Sequence, residues 1–292
     1  MDLDILKQRA KAFDYLFDAV VVTDIQGTII DWNKGSEALY VYRKEEAIGQ
    51  DVCLLHVPED IDHVTAKVIA AVEQTGKWSG EVRMLHKNGL IGWIESMCVP
   101  IFDEANKMVG ALGINRDITE RKKEQERLHH LAHYDQLTAV PNRYLLPARL
   151  EHLIAQSERN KSEFTLLYMD LDKFKLINDT KGHAFGDQLL KETASRLTQL
   201  IRQSDTFARI GGDEFVFLLE NTSLKNDAAE MAEMILKELD RVFLINDEEI
   251  KVNCSLGVAI YPEDGSTMDA LLTAADVAMY KAKQGGRGTY KF

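Results

Sequence analysis

The sequence predicts an α+β fold divided between two domains, and three observations carry that prediction. The chain has 292 residues, enough for two domains that each bury a core. Strand-like and helix-like stretches fall into two groups, separated by a charged helical segment near 117–133. In the first group a hairpin signal joins the later strands, whereas the second group interleaves strands with long helical periods, so two separate sheets are expected.

At the chain start Leu3, Leu6, Ala10, Phe13 and Phe17 recur at helical spacing, a stripe suited to a dimer interface or to covering a sheet. Residues 20–24 and 27–33 read as two short strands feeding a helix at 38–40. Three further strands are expected at 78–85, 91–101 and 108–114, with Asn88-Gly89 as the hairpin signal between the first two. Asp117 is placed to cap the charged helix, in which Glu120 and Lys123, and Glu124 and Arg127, stand three apart as supporting pairs. Ile118, Gln125 and Ala132 recur every seven residues, as do Arg121, Leu128 and Asp135. That spacing suits a short coiled-coil seam, the alternative being a solvated helix with no partner.

The second group reads as strand 164–170, helices near 172–179 and 184–203, paired strands 206–210 and 215–219, a helix near 226–241, a strand near 249–261 and a final helix 267–284. This order resembles a ferredoxin-like βαββαβ sheet with helices on one face. Met231, Ile235 and Leu239, and Leu271, Ala275 and Ala278, are expected core contacts at helical spacing.

The densest chemistry is Arg209-Ile210-Gly211-Gly212-Asp213-Glu214-Phe215, two glycines and two carboxylates between apolar strand runs. Gly-Gly supplies the positive φ of a tight turn, and its missing β-carbons let a phosphate approach the backbone. Asp170 ends the buried run 164–169, so Asp170 and Asp213 are expected to face one another on adjacent strands. Carboxylates from separate strand ends, with room for water and phosphate oxygens, suit a hard divalent cation such as magnesium. Asp172 precedes a short helical stretch and is expected to cap it rather than bind metal.

With these residues in view, 132–292 resembles the GGDEF domain of diguanylate cyclases. The resemblance rests on 135–143 (Asp-Gln-Leu-Thr-Ala-Val-Pro-Asn-Arg), on 170–179, on Gly182-His183 and Gly186-Asp187, on the hairpin, and on 280–287. Three positions depart from the family's usual pattern: Ala139-Val140 where Gly-Leu is usual, and Gly288 where Asn is common. The resemblance implies condensation of two GTP molecules into cyclic di-GMP with release of pyrophosphate. It implies two magnesium or manganese ions per active site, held by Asp170, the Leu171 carbonyl and Asp213, with Glu214 as a further ligand or the general base. Lys175, Lys283 and Arg287 match triphosphate-binding positions, helped by main-chain amides near Lys173 and Phe174 and by the bare Gly212. Asn178 and Asp187 match guanine-reading positions, the aspartate favouring GTP over ATP; helix capping around Gly182 and Gly186 is compatible with both. Arg202 and Asp205 resemble an RxxD site at which the product binds and inhibits, the plainer reading being a helix-end cation followed by a turn aspartate.

A reaction between two bound GTP molecules implies a homodimer. The first domain resembles a PAS sensor, through Trp32-Asn33, Gly49, Trp78-Ser79-Gly80, Lys87-Asn88-Gly89 and 116–122 (Arg-Asp-Ile-Thr-Glu-Arg-Lys). The expected limits are therefore 1–117 for a PAS-type antiparallel sheet with helices, 118–133 for a signalling helix, and 134–292 for the cyclase. The sensor's ligand stays unidentified: Cys53 lacks the neighbours of a photoactive flavin cysteine, and His56 and His63 do not fall where a haem ligand would be expected. The alternatives to catalysis are a non-catalytic receptor for GTP or cyclic di-GMP, disfavoured by the intact carboxylates, and a dimeric signalling scaffold, which a cyclase-dead Asp213→Ala variant that kept its function in cells would support.

Composition agrees. A net charge of −12 argues against nucleic acid or an anionic membrane as partner. Cys53, Cys98 and Cys254 are few, odd in number and dispersed, which suits a reducing cytoplasm. No apolar run approaches the ~18 residues of a membrane span, the charged opening is no secretory signal, and no phosphodiesterase-like second output is expected.

Overall fold

The computed structural model describes residues 3–220, 222 and 225–292, without the side chains of Leu3, Leu6, Arg9, Ala10 and Glu73. Most of the expected amino-terminal stripe, Leu3, Leu6 and Ala10, therefore lies outside the described side chains; Phe13 is half-buried and Phe17 fully exposed.

The chain divides between Arg127 and Leu128 into two compact units. The first contains α1 (Leu3–Asp14), β1 (Ala19–Asp24), β2 (Ile29–Trp32), α2 (Lys34–Tyr40), α3 (Lys44–Ala47), α4 (Ile61–Thr75), β3 (Trp78–Leu85), β4 (Ile91–Phe102) and β5 (Met108–Asp117). The division falls within α5 (Thr119–His133). The five strands form an antiparallel sheet in the order β2-β1-β5-β4-β3, with Gly89 turning between β3 and β4 at φ +83°. Ala19, Val21, Ile29, Trp32, Met84 and Ile94 pack with Tyr40, Ala47 and Leu55 to fill its core.

Asn33 shows why the Trp-Asn landmark is structural. Its Oδ1 accepts the N–H groups of Val20 at 2.9 Å and Ser36 at 2.8 Å, capping α2. Its Nδ2 donates to the carbonyls of Phe13 and Asp18 at 3.2 and 3.1 Å, so this buried amide joins four segments with its hydrogen-bonding capacity used. At the other end of the unit Asp117 caps α5 as expected, accepting the Thr119 N–H at 2.8 Å. Glu120 and Lys123 pair at 2.9 Å. Arg121, one of the heptad positions, is instead engaged with Glu81, as is Lys122, whose ammonium also lies 5.2 Å over the Trp93 ring.

The second unit runs α6 (Leu145–Asn160), β6 (Phe164–Leu171), α7 (Phe174–Lys181), α8 (His183–Thr198), β7 (Thr206–Gly211), β8 (Glu214–Glu220), α9 (Lys225–Asp240), β9 (Phe243–Ile245), β10 (Glu248–Ile250), β11 (Cys254–Tyr261), α10 (Met268–Gln284) and β12 (Tyr290–Lys291). Its sheet has the order β12-β11-β6-β8-β7, parallel only between β11 and β12, and contains the expected βαββαβ skeleton.

Three details differ from the sequence expectation. The strand expected over 249–261 is broken, because Asn246 and Asp247 both adopt left-handed φ (+52° and +63°) and close a separate β9–β10 hairpin before β11 begins. Helix α6 was not anticipated; Leu146, Leu150 and Leu153 form its buried stripe. Helices also cover both faces of the sheet rather than one. Phe164 and Leu166 pack under α6 and α10, while Leu167 and Met169 pack against α8 and α9. The cause is visible in β6 and β11, which are apolar on both faces and need cover on each. No helix among the described residues is long and apolar enough to cross a membrane.

Candidate active site

The buried run of β6 ends in Asp170, only 9% exposed and in register with Glu214 of β8. Between β7 and β8 the chain turns through Gly212 and Asp213, with Gly211 paired to Glu214. Only Gly212 takes a left-handed φ (+52°), so the turn needs one glycine for its backbone rather than two. The Leu171 N–H donates to the Asp213 carbonyl at 3.2 Å, tying the hairpin tip to the end of β6.

These carboxylates repel in a poorly solvated place. Burial pushes the pKa of Asp170 up, the nearby Asp213 charge adds to that, and the Lys283 ammonium, 2.7 Å from Asp170 Oδ2, opposes it. Asp213 is likewise raised by burial, against the pull of its own backbone N–H and of Lys283. Tyr168, two residues before Asp170, donates its hydroxyl to Glu214 Oε2 at 3.2 Å; burial and then Glu214 raise its pKa, keeping it a donor. Among the described residues no group of three or more His, Cys, Asp or Glu side chains is gathered closely enough to cage an ion. Asp170 stands in register with Glu214, and the Asp213 charge acts on it.

Asp172 does not cap α7. The residue at the cap is Lys173, at φ +62°, with no side-chain bond to the helix. The Asp172 N–H donates to the Asn253 carbonyl at 2.8 Å, which holds residue 172 against the segment leading into β11. Its carboxylate accepts the Ser255 hydroxyl at 2.8 Å and the Gly288 N–H at 2.9 Å.

On α7 and α8, Phe174 is buried while Lys175 and Asp187 are exposed. The Oδ1 of Asn178 is buried without a hydrogen-bond partner among the described residues. It rests over Gly186, where a β-carbon would come within 1.9 Å of it. Arg202 and Asp205 lie at the opposite end of β7 from the tip, with Arg202 exposed. The Asp205 carboxylate accepts the N–H groups of Arg202 at 2.9 Å and Glu220 at 3.1 Å, so it closes that turn whatever else it does.

Sequence reading overlooked the role of Arg209. Its Nη1 donates to Asp135 Oδ1 at 2.8 Å, and its Nε and Nη2 donate to the Gly212 carbonyl at 3.0 and 2.7 Å. Burial alone would raise the pKa of Asp135, but hydrogen bonds from Thr138 and Arg209 outweigh it and hold the carboxyl below its usual range. Asn142, in the same signature, donates its N–H to His133 at 2.9 Å and its Nδ2 to Ala132 at 2.9 Å, both at the end of α5. The Arg209 N–H donates to the carbonyl of Pro141, the neighbour of Asn142, at 2.8 Å, which joins that helix end to the hairpin tip. The charge and the double-donor fork of Arg209 beside Gly-Gly were the available signals.

Residues 132–289 match the family described as diguanylate cyclase, GGDEF domain, and residues 13–123 match the PAS fold. The bifunctional diguanylate cyclase/cyclic di-GMP phosphodiesterase MucR of Pseudomonas aeruginosa is 45% identical over 174 residues, 60% of this chain and 25% of its own length. The cyclic di-GMP phosphodiesterase PdeR of Escherichia coli is 34% identical over 287 residues, 93% of this chain. The chain spans 41% of the length of PdeR. Among solved structures, the GGDEF domain of TpbB from Pseudomonas aeruginosa superposes with a TM-score of 0.52 at 37% identity, covering 53% of this chain and 96% of that one.

Proposed function

Because this chain belongs to the diguanylate cyclase GGDEF family and carries a PAS domain ahead of that domain, we propose that it is a PAS-regulated enzyme converting two GTP into cyclic di-GMP. Membership alone does not carry this, since a phosphodiesterase is among the relatives. The observation that supports it is the placement of Asp170 and Glu214 in register at the ends of two central strands, with the Asp213 charge acting on Asp170 and Lys283 beside it.

The donors fit magnesium or manganese: they are hard oxygens, and burial makes their mutual repulsion costly. Asp170, the Leu171 carbonyl, Asp213 and Glu214 would hold such ions, two per site. A bound cation would neutralise charge on the phosphoryl oxygens and favour loss of the attacking proton. Lys175, Lys283 and Arg287 bind the triphosphate, helped by the bare backbone at Gly212 and the uncapped first turn of α7 behind Phe174. Asn178 and Asp187 read guanine. Between two domains facing each other in a homodimer, each 3′-hydroxyl oxygen bonds to the other nucleotide's α-phosphorus as the bond to pyrophosphate breaks. Each hydroxyl loses its proton, and Glu214 serves that proton or the cation.

The bonds from Asn142 to His133, from Arg209 to the adjoining Pro141 carbonyl, and from Arg209 to Gly212 support regulation through α5 as the signalling helix between a 1–117 sensor and a 134–292 cyclase. Cyclic di-GMP acts as an inhibitor at Arg202 and Asp205. Purified protein with GTP and magnesium should yield cyclic di-GMP, and Glu214→Gln should yield none. GTP binding without product from the parent would instead favour a receptor.

A further inference from the structure

Gly286, Arg287 and Gly288 form a corner in which all three residues have left-handed φ, at +118°, +65° and +57°. For arginine that conformation costs roughly 1–2 kcal/mol, and it persists only where the surroundings impose it. The bonds that impose it are few. Arg287 N–H donates to Ala282 at 3.2 Å, Gly288 N–H donates to Asp172 Oδ2 at 2.9 Å, and the Thr289 carbonyl accepts from Leu256 at 3.0 Å. Only the Asp172 bond comes from a side chain, and that side chain is 6% exposed. Its other oxygen is fixed by the buried Ser255 hydroxyl, and it lies 3.9 Å from Arg287 Nε. Giving up either donor would leave a polar group of the β11 region or of the corner unpaired.

We propose that Asp172 is a positioning residue: its carboxylate fixes the 286–288 corner so that Arg287 is presented to the nucleotide's triphosphate. This rests on the cyclase reading for the identity of the ligand. Turning toward β11 and the corner, Asp172 also leaves the first turn of α7 without a side-chain cap, on the same β6–α7 connection. One carboxylate thereby shapes two anion-binding elements while touching no phosphate itself. Its role is distinct from that of Asp170, two residues earlier, whose charge faces Lys283.

The test measures affinity of the full chain for an α,β-methylene analogue of GTP, which cannot release pyrophosphate, and for GMP. Asp172→Ala should weaken the analogue about tenfold while changing GMP less than about twofold. Asp172→Asn keeps an oxygen for Gly288 and an amide donor for Ser255, so it should stay within about threefold of the parent. Asp172→Ala added to Arg287→Ala should weaken the analogue no further than Arg287→Ala alone. Additive losses, equal weakening of GMP, or an Asn variant as impaired as Asp170→Asn would overturn the proposal. Should Asp172→Ala fail to fold, Ser255→Ala decides: a several-fold loss confined to the analogue supports the proposal, and unchanged affinity refutes it. Because affinity is read without turnover, a parent that binds the analogue but makes no cyclic di-GMP sinks the cyclase reading while this comparison stands. A parent that binds neither nucleotide overturns both.

Discussion

In the second unit β6 and β11 are buried on both faces along nearly their whole length, under α6 and α10 on one side and α8 and α9 on the other. In the first unit buried and exposed positions mix along β4 and β5, and Ile91, Met97, Met108 and Val109 remain 39–54% exposed. Both sheets have five strands, yet their polar residues carry different information. Where both faces are sealed, a carboxylate at a strand end, such as Asp170 at 9% or Asp172 at 8% exposure, needs a reason for its desolvation. Where one face is open, a polar residue is unremarkable.

The largest test of that contrast is Phe217→Ala. The ring is fully buried and stacks 4.4 Å from Phe207, so the second unit should lose about 3–5 kcal/mol in denaturant unfolding. A loss below about 1 kcal/mol would mean that this face is not tightly packed.

Next is Asp170→Asn, which separates activity from stability. Cyclic di-GMP formation should fall about 10³-fold, while the thermal midpoint holds or rises. The sign follows from the raised pKa of this acid: its charged form destabilises the fold above the unfolded-state value, and that penalty fades as pH falls. Asn should therefore gain most over the parent near neutrality and little in acid. In the parent, a retained proton must leave before a cation binds, so at limiting magnesium the acidic limb of activity should move to lower pH when magnesium is raised. Midpoints that fall at neutral pH would contradict the electrostatic account.

The smallest effect belongs to the open face. Met97→Ser should change unfolding free energy by no more than about 0.5 kcal/mol; a larger cost would show that this face is covered in solution.

How much of this was legible in the sequence also differs between the units. The hairpin, the apolar run into Asp170 and the Asn88-Gly89 turn are local signals, because periodicity and turn chemistry act within a few residues. Asp172 was misjudged because its partners, Ser255 and Gly288, lie 83 and 116 residues away, whereas capping is a neighbour effect. Arg209 was seen but given no role for the same reason, since Asp135 stands 74 residues earlier. Helix α6 escaped attention beside the 135–143 signature, and the β9–β10 hairpin was hidden by Asn-Asp, a weaker turn signal than Asn-Gly. In the first unit the Cys53 thiol is pushed up to about 11 by burial and by Asp51, which agrees with its lack of a reactive-cysteine context. His56 is depressed by burial and its Nδ1 is buried without a partner, and neither fact names a ligand.

The closeness of Gly186 to the Asn178 amide bears on the proposed reading of the base. A β-carbon at 186 would stand 1.9 Å from Asn178 Oδ1, so a methyl there would force the amide to shift. Under the proposed reading of guanine by Asn178, a side chain at 186 would disturb base choice by moving that amide. On that reading, a defect in base choice arises from a residue that never meets the base.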